Sequence, residues 1–568
     1  MTSEFQVSGR NAEALFTLKL HRGDGMALLA MNWKRGEPPL DFVGFAIEYK
    51  EPGGQKFFSI RNRLAFLGSS EELNPNTLST KLSPIQKFRW VHFPRNADLP
   101  GKFVYRVSPV FMNDREELSY GEMQQVAIEL RRETYPGLLN VAFTRGFISS
   151  QAFVNRYQSA GDISTLLPAK AAVGLAFMPS HPKANEALAW MGFEARSAVI
   201  EVLDQAIADS RAEVRVVAFD LNEPDVVNRL EKLGGRLRII IDDSPDHEKE
   251  GSSENQAQNR LVKSAGAGNV KRQHMSALQH NKTIVVDSPS AKIVVCGSTN
   301  FSWRGFFVQA NNVVVLKGAD AVKVFTSAFD NYWQQPTKFD DTPSAEWNDL
   351  GLPQIKAAVA FSPHSPANAL LTSIGDDIDQ HTTSCLFFSL AFLYQTKGAI
   401  REAIENKLKN DNLFVYGISD KKVGGLDLQK PDGNLAPVFP AALSKNVPEP
   451  FSAEPTGGLG TRMHHKFVVI DFDKPTARVY LGSYNFSIAA DKANGENLLL
   501  IKDRRVAVSF VVEAVRIIDH YHFRVVQQTA KEAEKTLHLK KPPRAGEKAW
   551  WDEDYRNSRK IRDRKLFA

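Results

Sequence analysis

The sequence predicts an α/β protein built from two related halves behind an all-β sandwich, and three features of the chain carry that expectation. Strand-like and helix-like segments alternate from about residue 170 to residue 525, the order of a sheet covered by helices on both faces. One group of residues occurs twice at a constant distance. Ahead of both copies lies a stretch of short strands broken by turns, with no share in the repeat.

At 568 residues, 43% hydrophobic and 24% charged, the chain is ordinary globular material with length for three or four domain-sized units. Its opening Met-Thr-Ser-Glu-Phe has neither the basic start nor the apolar run of a signal peptide. No stretch is long and apolar enough to span a bilayer, so a cytoplasmic setting is expected. Cys296 and Cys385 are the only cysteines, which argues against a disulfide framework and a cysteine zinc site.

Residues 10–132 hold six β-rich runs, Ala27 to Trp33, Phe42 to Tyr49, Lys56 to Ile60, Phe88 to His92, Lys102 to Val110 and Met123 to Leu130. Turn sequences such as Gly-Glu-Pro-Pro and Glu-Pro-Gly-Gly lie between or beside them, the rhythm of an antiparallel sandwich. Trp33 and Tyr105 are expected in its core rather than at a ligand. The unit is expected to bind a protein partner or to act as a spacer.

Residues 133–340 and 341–530 are the two halves. Half one is expected to open at Lys170 to Pro179 and half two at Lys356 to Pro363, with Phe177 and Phe361, and Pro179 and Pro363, each 184 residues apart. After the first opening come a helix at Glu194 to Ala208, a strand at Val214 to Phe219, a helix at Asp225 to Leu233 and a strand at Leu237 to Ile241. The second half repeats strand, helix and strand at Cys385 to Phe392, Lys397 to Leu408 and Leu413 to Gly417. Residues 244–272 and 420–462 interrupt the scheme and are expected as long surface loops rimming the site.

The repeated group is His280-Asn281-Lys282, Asp287 and Gly297-Ser298-Thr299-Asn300, then His464-His465-Lys466, Asp471 and Gly482-Ser483-Tyr484-Asn485. His280 to His464 is 184 residues, and Gly297 to Gly482 and Asn312 to Asn497 are 185 each, so the copies arose by duplication. Between the motif residues run the strand-like segments Thr283 to Val286 and Phe467 to Ile470. Along a strand, residues i and i+2 share a face, so each His can point with its Lys at one ligand. An imidazole beside an ammonium, with small hydroxyl and amide side chains nearby, suits a tetrahedral anion such as phosphate.

The paired H-x-K-x4-D with a following G-S-x-N resembles the phospholipase D superfamily over most of residues 165–525. The resemblance implies two pseudo-symmetric α/β/α halves sharing one active site, and hydrolysis of a phosphodiester through a phosphohistidine. His280 and His464 would be nucleophile and general acid, and Lys282 and Lys466 would hold the phosphate charge. Ser298, Asn300, Ser483 and Asn485 would bond the phosphate oxygens, and Asp287 and Asp471 would complete the motif as structural partners. No metal or other cofactor is implied. A metal site from His274, His280 and His464 is the weaker reading, as no acidic cluster accompanies them. His274 and His465 flank the motifs as further candidates for substrate contact or local structure. Residues 10–132 resemble, less specifically, a fibronectin type III domain through Asn32-Trp33, Gly44 to Tyr49 and Tyr105-Arg106-Val107.

Family members commonly carry an acidic residue after the second G-S-x-N that supports an active-site imidazole. Glu496 fills that position, and its counterpart in half one is Asn311. If Glu496 serves its own half, His464 is the better acid and His280 the better neutral nucleophile; if it reaches across, the electrostatic argument reverses.

Residues 531–568 carry 12 Lys or Arg against 7 Asp or Glu, nearly all of the chain's net charge of +6, and are expected as a basic tail. With the sequence pI near 9.0, that tail favours nucleic acid as substrate. Trp550 and Trp551 beside basic residues leave phospholipase action on lipid head groups as the alternative, and a non-catalytic phosphate-binding scaffold as a third.

Overall fold

Buried and part-exposed positions alternate along Lys102–Met112, as in a strand with one face on a core, whereas every position of Cys385–Leu390 is buried, as in a strand covered on both faces. These two patterns belong to the two units of the protein. The computed structural model describes residues 4–62, 64–68, 78–94, 96–130, 133–145, 153, 156–420, 463–532 and 537–568. Their contacts divide the described residues into one unit lying within 4–130 and 508–568, and another within 133–420 and 463–507.

The first unit pairs a four-stranded sheet, β1 (Gln6–Ser8), β2 (Phe16–Arg22), β3 (Ala27–Trp33) and β6 (Arg89–His92), with a second sheet. The latter runs in the order β5 (Phe58–Ser59), β4 (Phe42–Lys50), β7 (Lys102–Met112) and β8 (Leu118–Tyr120), and β9 (Gln124–Glu129) also pairs with β7. Phe16, Leu18 and Met31 from one sheet pack in one core with Phe45, Ile47 and Tyr105 from the other, and Trp33 is buried there too. β2 was not among the expected strands, although Phe16, Leu18 and Leu20 alternate with Thr17, Lys19 and His21 in the period of two of a half-buried strand, and it pairs with β3 along its whole length.

The expected basic tail is not a tail. Its last two helices, Asp552–Arg556 and Ser558–Phe567, close on the sandwich, and Ala549 and Trp551 join its core. The Phe567 carbonyl bonds His21 Nε2 at 2.6 Å, and Trp550 Nε1 donates to the Phe42 carbonyl at 3.0 Å. Several of its cations are paired at home: Arg556 with Glu37, Lys560 with Glu553 at 2.8 Å and Lys541 with Glu116 at 2.5 Å.

The second unit holds two seven-stranded sheets. Half one runs β10 (Leu139–Phe143), β16 (Asn312–Lys317), β15 (Lys292–Gly297), β14 (Lys282–Asp287), β11 (Glu213–Ala218), β12 (Leu237–Ile241), β13 (Val270–Arg272). Half two runs β17 (Asn348–Asp349), β18 (Lys356–Ser362), β23 (Glu496–Lys502), β22 (Arg478–Gly482), β21 (Lys466–Ile470), β19 (Cys385–Leu390), β20 (Phe414–Ile418). Six strands correspond one to one, with the same antiparallel centre and the same parallel step from β11 to β12 and from β19 to β20. In half two, Leu386, Phe388, Val468 and Ile470 pack against Ile374 and Ile378 of the helix Leu371–His381 and Ile400 and Ile404 of the helix Ala399–Leu408.

Two expectations are corrected. The partner of the opening strand β18 is β10, not Lys170 to Pro179: Phe143 pairs with Asn312 as Phe361 pairs with Asn497, whereas Ala171–Val173 is a single 3-10 turn. Extra chain between β10 and the first long helix, Ala184–Ala208, displaced the true counterpart, and the 184-residue spacing of Phe177 and Phe361 does not mark equivalent positions. Residues 244–272 are no loop either, since they supply the helix Ser253–Ala265 and edge strand β13. Most of the other insertion, residues 421–462, lies outside the described residues. Among the described residues, no helix is long and apolar enough to cross a membrane.

Candidate active site

Each motif lysine is the first residue of a central strand, Lys282 of β14 and Lys466 of β21, with its histidine two residues before. The antiparallel neighbours β15 and β22 end at Gly297 and Gly482, so the G-S-x-N turns emerge at the same sheet end as the histidines. Both glycines are required. Gly297 and Gly482 sit at φ 130° and 145°, and a Cβ would stand 2.5 Å from the Asn312 carbonyl oxygen and 2.2 Å from that of Asn497.

The halves exchange side chains reciprocally at this end. His280 Nδ1–H donates to Glu496 Oε2 at 2.7 Å, and Asn497 Nδ2 donates to Asn281 Oδ1 at 2.8 Å. In the other direction His464 Nδ1–H donates to Asn311 Oδ1 at 2.8 Å, and Asn312 Nδ2 bonds His465 Nδ1 at 3.2 Å. The backbone follows: Gly495 N–H reaches the Leu278 carbonyl at 2.8 Å, and His464 N–H that of Ala310 at 3.0 Å. Asn311 Nδ2 donates to the Gly305 carbonyl at 2.9 Å, which turns Oδ1 toward His464 and fixes its tautomer. Both imidazoles thereby spend Nδ1 on the opposite half and keep Nε2 for chemistry.

Glu496 therefore reaches across, and the electrostatic argument reverses: the carboxylate favours the protonated form of His280 and gives His464 no such support. Burial pushes the His280 imidazole below its ordinary range, opposed by Glu496. His464 falls much further, because burial is compounded by the Lys466 and Lys282 ammoniums and its Nδ1 partner is the neutral Asn311 amide. Burial would raise the Glu496 carboxyl, but His280 and Lys282 outweigh it and hold it low. Burial brings Lys282 down to about 8 and Lys466 well below its usual range. Cations gathered at a buried site cost desolvation energy that a bound anion relieves.

The lysines are held over aromatic rings that sequence reasoning missed. Lys282 Nζ lies 4.8 Å from the Phe219 centroid and bonds the His280 carbonyl; Lys466 Nζ lies 5.7 Å from Phe392, 2.9 Å from the His464 carbonyl and 3.1 Å from His464 Nε2. Phe219 directly follows β11, and Phe392 lies two residues beyond β19 at the same sheet end. That placement was the signal available for both.

The remaining expected site residues separate into different jobs. Ser298 Oγ–H donates to Asn311 Oδ1 at 2.9 Å and accepts from Asn312 N, and Ser483 Oγ accepts from Asn497 N at 3.0 Å. Both hydroxyls thus hold residues that reach across to the other half. Asn300 Nδ2 donates to Asp220 Oδ2 at 2.6 Å; the Oδ1 atoms of Asn300 and Asn485 are buried without a partner. Asp287 and Asp471 lie at the far ends of β14 and β21, for Asp287 about 16 Å of strand from Lys282. Asp471 accepts the backbone N–H groups of Thr383, Ser384 and Cys385, while Asp287 pairs with Lys292 at the surface. His465 is buried in its bond to Asn312, and exposed His274 pairs with Asp243 at 2.7 Å.

Beside His280 lies a second polar cluster. The ligand atoms of Asp220, His247 and Glu254 lie within 4.8 Å of one another, close enough for a metal ion. The donor set fits one poorly: His247 already spends Nδ1 on Asp242 at 2.7 Å and Nε2 on Asp220 at 3.3 Å, and Lys282 and Arg304 set positive charge beside Asp220.

Residues 203–333 and 376–518 match a family described as cardiolipin synthase, PLD-like domain. One matched stretch lies in each half, and each resembles a phospholipase D-like domain. The mitochondrial cardiolipin hydrolase of Canis lupus familiaris is 25% identical over 156 residues, 27% of this chain and 58% of that protein. A phospholipase D of Rickettsia prowazekii is 46% identical over 48 residues, 8% of this chain and 22% of that one. The chain thus spans little more than half of one relative's length and about a fifth of the other's. Among solved structures, phosphatidylserine synthase of Haemophilus influenzae matches 60% of this chain and 92% of its own, at 12% identity and TM-score 0.41. Nuc from Salmonella typhimurium matches 25% of this chain and 88% of its own, at 24% identity and TM-score 0.21.

Proposed function

We propose that the protein is a phosphodiesterase working through a covalent phosphohistidine, and that its diester belongs to a phospholipid. The reciprocal exchange between the halves carries the chemistry, because it commits both Nδ1 atoms to bonds across the halves and sets His464 within electrostatic reach of His280, Lys282 and Lys466. In this reading His280 Nε2 attacks phosphorus, the bond to the leaving oxygen breaks, and His464 Nε2–H protonates that oxygen. Water then opens the P–N bond as His464 takes its proton, which frees His280.

Glu496 decides between the imidazoles by where charge appears. The attacking imidazole becomes cationic in the transition state, beside a buried carboxylate; the acid loses charge, beside a neutral amide. His464 takes up its proton when the anionic diester offsets Lys282 and Lys466.

The nucleic-acid reading leaned on a basic tail, and that segment is folded with several of its cations paired. The names of the relatives, a cardiolipin hydrolase and a phospholipase D, support a lipid diester instead. A fibronectin type III-like role for the sandwich in binding a protein partner belongs to the same proposal. So does a cytoplasmic setting, supported by two buried free thiols.

Incubation with cardiolipin and phosphatidylcholine vesicles, and with single- and double-stranded nucleic acid, tests the substrate. Cleavage of nucleic acid with lipid left intact overturns the lipid assignment. With a fast-leaving chromogenic diester, His464→Asn accumulates phosphoenzyme and His280→Asn gives none. Phosphoenzyme mapped to His464 in the His280 variant shows the roles exchanged.

A further inference from the structure

We infer that His247, from the chain between β12 and β13, is a positioning residue of the active site: it clamps Asp220 and Asp242 and through them holds Asn300, Phe219 and His280 in register. The inference rests on the phosphohistidine reading and extends it to a residue outside the repeated motif.

The connection is continuous, buried at Asn300, Asp242 and Gln279 and part-buried at Asp220 and His247. Asn300 Nδ2, from the first G-S-x-N, donates to Asp220 Oδ2 at 2.6 Å, and Asp220 Oδ1 faces His247 Nε2 at 3.3 Å. His247 Nδ1 lies 2.7 Å from Asp242 Oδ2, and Asp242 Oδ1 accepts the backbone N–H of Gln279 at 2.6 Å. Gln279 immediately precedes His280. Phe219 closes a second route, its ring edge-on to both imidazoles, 4.7 Å from His247 and 4.6 Å from His280. One imidazole therefore ties the first G-S-x-N, the aromatic wall under Lys282 and the approach to His280.

Two carboxylates at the two ring nitrogens call for two N–H donors, so the clamp works as imidazolium. Its pKa is pushed up to about 10; burial opposes this, and the bonds to Asp220 and Asp242 outweigh it. Other charged groups around it are Asp246, Glu254 at the start of the helix Ser253–Ala265, Arg272, which donates to the His247 carbonyl at 2.8 Å, and Lys282 and Arg304 beyond Asp220. Asp242 has a counterpart in half two, Asp420, whose Oδ1 accepts the Met463 N–H at 3.0 Å just before His464. The register that sets Ala218 beside Lys282 sets Leu390 beside Lys466, so the position of Asp220 is held in half two by Phe392. The Asp220 carboxylate is thus peculiar to half one.

The test uses His247→Gln and Asp220→Asn in the full chain, with bis(p-nitrophenyl) phosphate as probe. Both variants are expected to lower kcat about 10- to 100-fold with KM changed less than about threefold, the usual effect of losing an outer partner that orients a reacting group. Phosphoenzyme formation slows in step. His247→Lys, which keeps charge and donors, recovers part of the loss. Independently of turnover, the ring N–H proton that His280 donates to Glu496 is followed by NMR, and it shifts or broadens in His247→Gln. A folded His247→Gln with wild-type kcat and an unmoved His280 signal overturns the inference. So does a His247→Gln that fails to fold while Asp220→Asn keeps wild-type kcat, because His247 then serves the scaffold alone. If the wild-type protein turns over no diester, the phosphohistidine reading fails, and the NMR comparison still decides the positioning.

Discussion

Replacing Glu496 with Gln tests how much of the chemistry rests on one charge. The carboxylate is fully buried, sits 2.7 Å from His280 Nδ1 and keeps a held-down pKa, so it is ionised when the imidazole attacks. Gln keeps the shape and an acceptor oxygen but removes the charge. With charge centres about 4 Å apart and an effective dielectric near 20, stabilisation of the imidazolium is on the order of 4 kcal/mol, or about a thousandfold in rate. Part of this is recovered by the neutral bond that remains, so the expected fall in kcat is about 100- to 1,000-fold with KM little altered. The assay is rapid-quench formation of phosphoenzyme from an activated diester whose leaving group needs no acid. A Glu496→Gln protein that forms phosphoenzyme at the wild-type rate with that substrate, yet fails on an alkyl diester, refutes the reasoning. The carboxylate would then be tuning an acid, and His464 would be the nucleophile.

Other outcomes follow from the same geometry. Lys282, held down to about 8, loses its charge as pH rises through 8, so kcat/KM falls there. Because its folded pKa lies below the unfolded one, the unfolded chain binds more protons between about 8 and 10.4, and this group's contribution to Tm rises over the same window. Asp471→Ala strips three backbone N–H groups of a buried acceptor and is expected to cost about 2–4 kcal/mol in denaturant melts. Asp287→Ala breaks a surface pair with an aspartate side chain 36% exposed and costs about 0–1 kcal/mol. Truncation after residue 530 removes Trp551 and Phe567 from the sandwich and is expected to leave a chain whose first unit melts or aggregates, checked by calorimetry; an unchanged first-unit transition refutes the packing.

The repeated H-x-K and G-S-x-N were legible because each is a contiguous, local pattern: the histidine lies two residues ahead of the lysine that opens its strand, so the two stay close wherever that strand lies. The β-rich first unit and the alternation of strand and helix were legible for the same reason, since burial pattern follows nearest neighbours in the chain. What failed were judgements about distant partners. The true opening strand of half one, Leu139–Phe143, is a short apolar run whose role appears only on pairing with Asn312–Lys317. The C-terminal residues read as a solvated basic stretch because composition shows charge but not that Ala549 and Trp551 fall into a core made more than 400 residues earlier. Within the site, sequence alone identified Glu496 and its neutral counterpart Asn311, but which histidine each would meet depended on how the halves pack. Only the folded chain put Glu496 on His280, Asn311 on His464 and His247 between Asp220 and Asp242, because long-range contacts are selected by burying whole faces and not by any spacing written in the chain.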